Sequence, residues 1–144
     1  MSDVFAVDLA LDLSPAMPNA VLDDLRWHLG LLAGGSAAAD EIADLEPLLA
    51  ARGPAARIGG LLTGELVRAG DHWTLTARQE VHAELLRELE SLAERLAFHA
   101  TTEGVIGQVR FYEDEVPEML VNRSGELARI TLRSDDLIDT DQIK

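Results

Sequence analysis

The sequence contains no cysteine and a single lysine, Lys144, and only 4% of its residues are aromatic. Without cysteine there are no disulfides, no thiolate nucleophile and no Cys-ligated zinc. No apolar run approaches the ~20 residues that span a bilayer as a helix. The first residues, Met1-Ser2-Asp3-Val4, lack the basic and small-residue features of a signal peptide. A cytoplasmic location is therefore the expectation. Basic residues are scarce too: 12 Lys and Arg stand against 26 Asp and Glu, a net charge of −14. Such a chain repels nucleic acid and anionic membranes. Its acidity serves solubility first and a basic protein partner second. Motifs for common chemistries are also missing. There is no Gly-x-Ser-x-Gly and no Gly-Lys-Ser/Thr, and Gly59, Gly60 and Gly64 do not make a dinucleotide fingerprint. No cofactor is expected.

What is present is a globular composition, 47% hydrophobic over 144 residues, enough for one core without staples. A single domain over 1–133 is expected, followed by an acidic, flexible tail over 134–144. Residues 4–13 alternate, with Phe5, Val7, Leu9, Leu11 and Leu13 on one face, as in a half-buried strand. Pro18-Asn19 opens a helix carrying Val21, Leu22, Leu25, Leu29 and Leu32, with Asp23 and Asp24 near its positive end. Residues 34–57 read poorly. Glu46 to Arg52 fits one or two helical turns with Pro47 at the first position. A hairpin of 58–68 with 72–78 follows. Val81, Leu85, Leu89, Leu92 and Leu96 stripe a second helix. Thr76-Ala77-Arg78-Gln79 matches a capping box and places its start as early as Ala77. Strands follow at 105–112, 119–121 and 127–132, the last two joined by the turn Asn122-Arg123-Ser124-Gly125. Asn122-Arg123-Ser124 also fits a glycosylation sequon, read here as part of that turn.

The predicted fold is α+β. An antiparallel sheet carries two main helices on one face, in the ferredoxin-like β-α-β-β-α-β order, plus a C-terminal β-hairpin. The opposite sheet face is left open, which suggests a homodimer.

The open face supplies the leading site candidates. In the predicted register it carries Asp8, Asp12, His72, Thr74, Thr76, Arg78, Gln108, Arg110 and Tyr112. His72, Arg78, Arg110 and Tyr112 would form a ligand site, the arginines holding an anion and His72 or Tyr112 moving a proton. No metal site is expected. His82 lies two residues from Glu80 and Glu84, the wrong spacing on a helix, and His99 and Glu103 fall where a helix ends. Asp135, Asp136, Asp139 and Asp141 lack the glycine and glutamate of a calcium loop. In Arg26-Trp27-His28 the tryptophan packs at the margin of the first helix and His28 is a satisfied boundary residue. The segment 111–118, with four acids beside Phe111 and Tyr112, resembles a docking surface for a basic partner.

Arg26-Trp27-His28-Leu29-Gly30, Arg57-Ile58-Gly59-Gly60, Leu75 to Glu80 and Arg110 to Glu115 resemble stretches of a group of small hypothetical proteins from GC-rich bacteria. The resemblance spans most of the chain and implies no activity, ligand or site. The leading functional expectation is a non-enzymatic interaction or regulatory module, homodimeric. The alternatives are a small-molecule protein or enzyme with its pocket on the sheet, and an antidote to a basic toxin.

Overall fold

The computed structural model describes residues 3–31 and 46–131. Leu32, the first part of the poorly readable segment 34–57 (residues 34–45), the acidic tail over 134–144 and its candidate calcium-loop acids lie outside the described residues.

Seven strands and two α-helices are described. In chain order they are β1 (Val4–Leu13), α1 (Asn19–His28), β2 (Gly53–Pro54), β3 (Leu61–Ala69), β4 (His72–His82), α2 (Leu86–His99), β5 (Gly104–Phe111), β6 (Glu118–Arg123) and β7 (Glu126–Thr131). A 3-10 turn, Ala83–Leu85, leads into α2. The strands form one sheet in the order β2-β3-β4-β1-β5-β6-β7. Every neighbouring pair is antiparallel. The fold is α+β, with one strand more than the sequence predicts. Among the described residues, no helix is long and apolar enough to cross a membrane.

Alternation in β1 builds the core. Val7, Leu9, Leu11 and Leu13 are all at most 3% exposed. They join Leu75, Ala77 and Val81 of β4, Leu22 and Leu25 of α1, and Leu89, Leu92 and Leu96 of α2 in one apolar cluster. Both helices therefore pack on the same sheet face. Arg95 of α2 donates to Asp24 of α1 at 3.0 Å and ties the helices together. Asp23 and Asp24 lie beyond the first turn of α1, and they pair with side chains, Asp23 with Arg26 and Asp24 with Arg95.

Two expectations are corrected. The strand predicted to end at 78 continues to His82, and α2 begins only at Leu86. Thr76-Ala77-Arg78-Gln79 is not a capping box. β1 runs ten residues and pairs with β4 along its whole length, Val4 opposite His82. Its ladder bonds hold 79–82 extended, and Val81 faces the core as a strand residue. Residues 46–52 form no helix. Their backbone N–H groups are taken by tertiary acceptors: Leu48 donates to His28 Nδ1, Leu49 to the His28 carbonyl and Ala51 to Gln79 Oε1. The chain then adds β2 beside the start of β3.

The C-terminal hairpin forms as expected. Ser124 and Gly125 both take positive φ, 55° and 91°, which a two-residue hairpin turn of the type I′ kind requires. Asn122 is 1% exposed. Its side chain donates to the Thr102 carbonyl and accepts from Gly125, so it is a turn anchor with no surface left for a glycan.

Candidate functional site

Register decides which polar residues meet. Asp8 lies opposite Arg78 on β4 and Gln108 on β5, Asp12 opposite Thr74, and Ala6 between Glu80 and Arg110. Thr63 of β3 lies beside Arg78. Since side chains alternate, these residues point away from the helices. His72, Thr76 and Tyr112 continue the same alternation. Apart from a loop over 55–60 that crosses one corner, no element among the described residues covers this face.

The four predicted site residues do not form one cluster. His72 opens β4, with Nδ1 3.2 Å from Asp71 and Nε2 3.8 Å from Asp12. Its hydrogen bond holds the Asp71 carboxyl below the usual range. Arg78 lies six residues further on, about 20 Å away at ~3.3 Å per strand residue. A proton moved by His72 cannot reach an anion held at Arg78.

Arg78, Arg110 and Tyr112 do share a corner, and two residues outside the predicted site complete it. The Glu80 carboxylate accepts three consecutive backbone N–H groups, from Ala56 (2.9 Å), Arg57 (2.6 Å) and Ile58 (3.0 Å). Partial burial pushes its pKa up. The three N–H donors and the Arg57 charge outweigh this and leave it lowered. Arg57 then reaches across β1. Its guanidinium lies 5.3 Å from the centre of the Tyr112 ring, and Nη1 donates to the Tyr112 hydroxyl at 3.4 Å. Beneath this strap Val4 and Ala6 are 5% and 2% exposed. Arg78 donates to the carbonyls of Gly59 (2.7 Å), Leu61 and Ile58. Arg110 Nη1 donates to those of Phe111, Tyr112 and Asp114, the last at 2.6 Å. The guanidinium forks thus spend donors on the chain's own carbonyls. They fasten the loops at 55–60 and 112–116 as well as lending positive charge to the corner.

Beside the corner a shallow cleft of about 440 Å³ runs over Asp8, Thr63, Thr76, Arg78 and Gln108. Apolar side chains stand to either side of this polar centre, on β3 interrupted by Glu65. Leu61 and Val67 of β3 are 62% and 53% exposed, and Val105 of β5 is 52% exposed. Met119, Val121 and Ile130 continue the second flank on β6 and β7 by register.

Other candidates go elsewhere. Trp27 and His28 are both buried. The Arg26 guanidinium lies over Trp73, 5.5 Å from the ring centroid, and not over Trp27. Glu103 accepts the Ser124 N–H. Among the described residues no three His, Asp or Glu side chains come together as metal ligands. The 111–118 segment divides. Phe111 packs 5.3 Å from Phe5 on the helix side, Glu118 pairs with Arg129, and Glu113, Asp114 and Glu115 are exposed.

Glu80 was missed because the capping-box reading ended the strand at 78. Carrying the alternation of Thr74, Thr76 and Arg78 one step further places Glu80 on the open face. No local pattern marks Arg57. No protein-family model matches this chain, and no curated protein or solved structure is significantly similar to it.

Proposed function

We propose that this protein is a non-enzymatic interaction module whose open sheet face is covered by a second copy of itself. One observation carries the reading: the seven-stranded sheet buries one face under both helices, while the other exposes Leu61, Val67 and Val105 by more than half. Isolated exposed apolar residues are ordinary, but these flank a polar strip on one surface. Seven strands at ~4.8 Å spacing and ~25 Å length give a face on the order of 700 Å², close to the ~800 Å² each partner buries in a standard interface.

The pattern is self-complementary. Consider a two-fold axis lying in the interface over β1. Whether it runs along the strands or across them, flank meets flank and polar strip meets polar strip, with Leu61 and Val67 supplying the apolar contacts of β3 on either side of Thr63 and Glu65. The face carries both signs, Asp8, Asp12 and Glu65 with Arg78 and Arg110, so two copies need not oppose like charges.

The core order supports a finer reading of the fold. Strands β3-β4-β1-β5, with α1 and α2 in the two crossovers, follow the order of a ferredoxin-like domain, extended by β6 and β7. Pairing through the open face is a recurrent use of such sheets, which is an analogy of fold.

The test is a double variant, Val67→Glu with Val105→Glu, followed by light scattering. It should convert a dimer to a folded monomer, since the two faces then set four new carboxylates against one another. Wild-type protein that is itself monomeric would overturn the reading and favour a basic protein as the partner of the acidic chain.

A further inference from the structure

We propose that the cavity between α2 and strands β5 to β7 is a binding site for a small molecule with an apolar body and a protonated amine. It lies on the helix side of the sheet and does not depend on pairing through the open face. The sheet extends two strands beyond β5, and the start of α2 leaves a gap above them. That gap encloses about 330 Å³. Its size is at the lower end of the ~300–1,000 Å³ range of small-molecule sites. A cavity of about 150 Å³ holds one benzene ring, so this one has room for a ring with a short chain.

Its lining is apolar. Phe5 and Phe111 form one wall, Leu89 and Leu120 the base, and Leu127 and Ala93 further sides. Leu89 and Leu120 are 2% and 3% exposed, so the base is part of the core and does not need to be assembled by a ligand. Ala93, also 2% exposed, contributes only a methyl group where a leucine would reach into the space.

The polar groups at the mouth select the charge of the ligand. Arg129 of β7 is bonded to Glu90 of α2, and its Nε lies 3.4 Å from Glu118 of β6. Asp114 also borders the cavity. Arg129 against Glu90, Glu118 and Asp114 gives the side chains lining the cavity a net charge of −2. An anion would have to displace a glutamate from Arg129 and then sit beside it. A cation meets the surplus negative charge directly.

The test compares 2-phenylethylamine with 3-phenylpropanoate, which has a similar body and the opposite charge, by amide chemical-shift titration of the full chain. The amine should shift Leu89, Glu90, Leu120 and Arg129 saturably, with affinity at least tenfold above the acid. A93L should lose the amine, and E90Q with E118Q should reduce or reverse the preference. The double glutamine variant decides the matter if A93L does not fold. No saturable shift, equal or tighter binding of the acid, or unchanged binding in A93L would overturn the proposal. So would nuclear Overhauser contacts from Leu137 or Ile138 to Phe111, which would make the chain's own C-terminal segment the occupant.

Discussion

His28 is 2% exposed, accepts the Leu48 N–H on Nδ1, and so carries its proton on Nε2, 3.8 Å from Asp24. Burial is the main reason its pKa falls to about 4. Asp24 opposes the shift and Arg95 adds to it. An unfolded chain takes up this proton near the ordinary 6.5, which the folded protein refuses until about pH 4. The stability is therefore fully present above pH 6.5 and lost as pH falls from there towards 4. At about 1.4 kcal/mol per pH unit, the loss is about 3 kcal/mol. Urea unfolding from pH 4.5 to 7 should show it, and His28→Gln, which keeps an acceptor for Leu48, should remove most of that slope. Glu80 works in the opposite sense. Its lowered pKa means its contribution is present above the ordinary glutamate range and disappears as pH falls through the folded value. Glu80→Gln should cost about 1.5–3 kcal/mol, the range for hydrogen bonds to a charged group. Hydrogen exchange should quicken at Ala56, Arg57 and Ile58 and stay slow in β1. Neither role was legible in the sequence. His28 reads as a boundary residue because its acceptor role needs Leu48, twenty positions away. Glu80 reads as a helical residue because a four-residue cap pattern outweighed a two-residue alternation.

Legibility at the scale of elements follows how local the cause is. β1 and the β6–β7 hairpin were predicted because alternation and turn chemistry reside in the residues themselves. The end of β4 was not, because it is set by pairing with a ten-residue strand some seventy positions earlier. Residues 46–52 were misread because their N–H acceptors lie on α1 and β4. Two substitutions probe these causes. Ser124 occupies the first left-handed position of the hairpin turn, where asparagine is better tolerated than serine. Ser124→Asn should stabilise the protein by about 0.5 kcal/mol, measured by denaturant midpoint, since left-handed strain is worth about 1–2 kcal/mol. Gly107 follows a bulge in β5, where an added Cβ would lie 2.3 Å from the Asp8 carbonyl oxygen. Backbone cannot yield there as a side chain would. Gly107→Ala should cost about 3 kcal/mol, at the upper end of overpacking effects. A variant as stable as the parent would mean that β1 and β5 separate more freely than this register allows.

At the scale of the whole molecule, the sheet divides the protein into two unlike sides. The helix side holds the core and a ring-sized cavity with an acidic mouth. The other side holds a polar strip between two apolar flanks, with one corner strapped by Glu80 and Arg57. Apart from Glu80, and from Val105, which the bulge of β5 turns onto this face, the identity of the open-face residues was legible from alternation. Their grouping was not, because the distance from His72 to Arg78 depends on how far β4 extends, and the forks of Arg78 and Arg110 are spent on loops whose path no local pattern reveals. The central claim is that the open face is covered by a second copy. Sedimentation equilibrium of the full chain across a hundredfold range of concentration tests it most directly. The account predicts a species of twice the 15.6 kDa chain mass that dissociates on dilution or persists throughout. A constant 15.6 kDa at every concentration would contradict it.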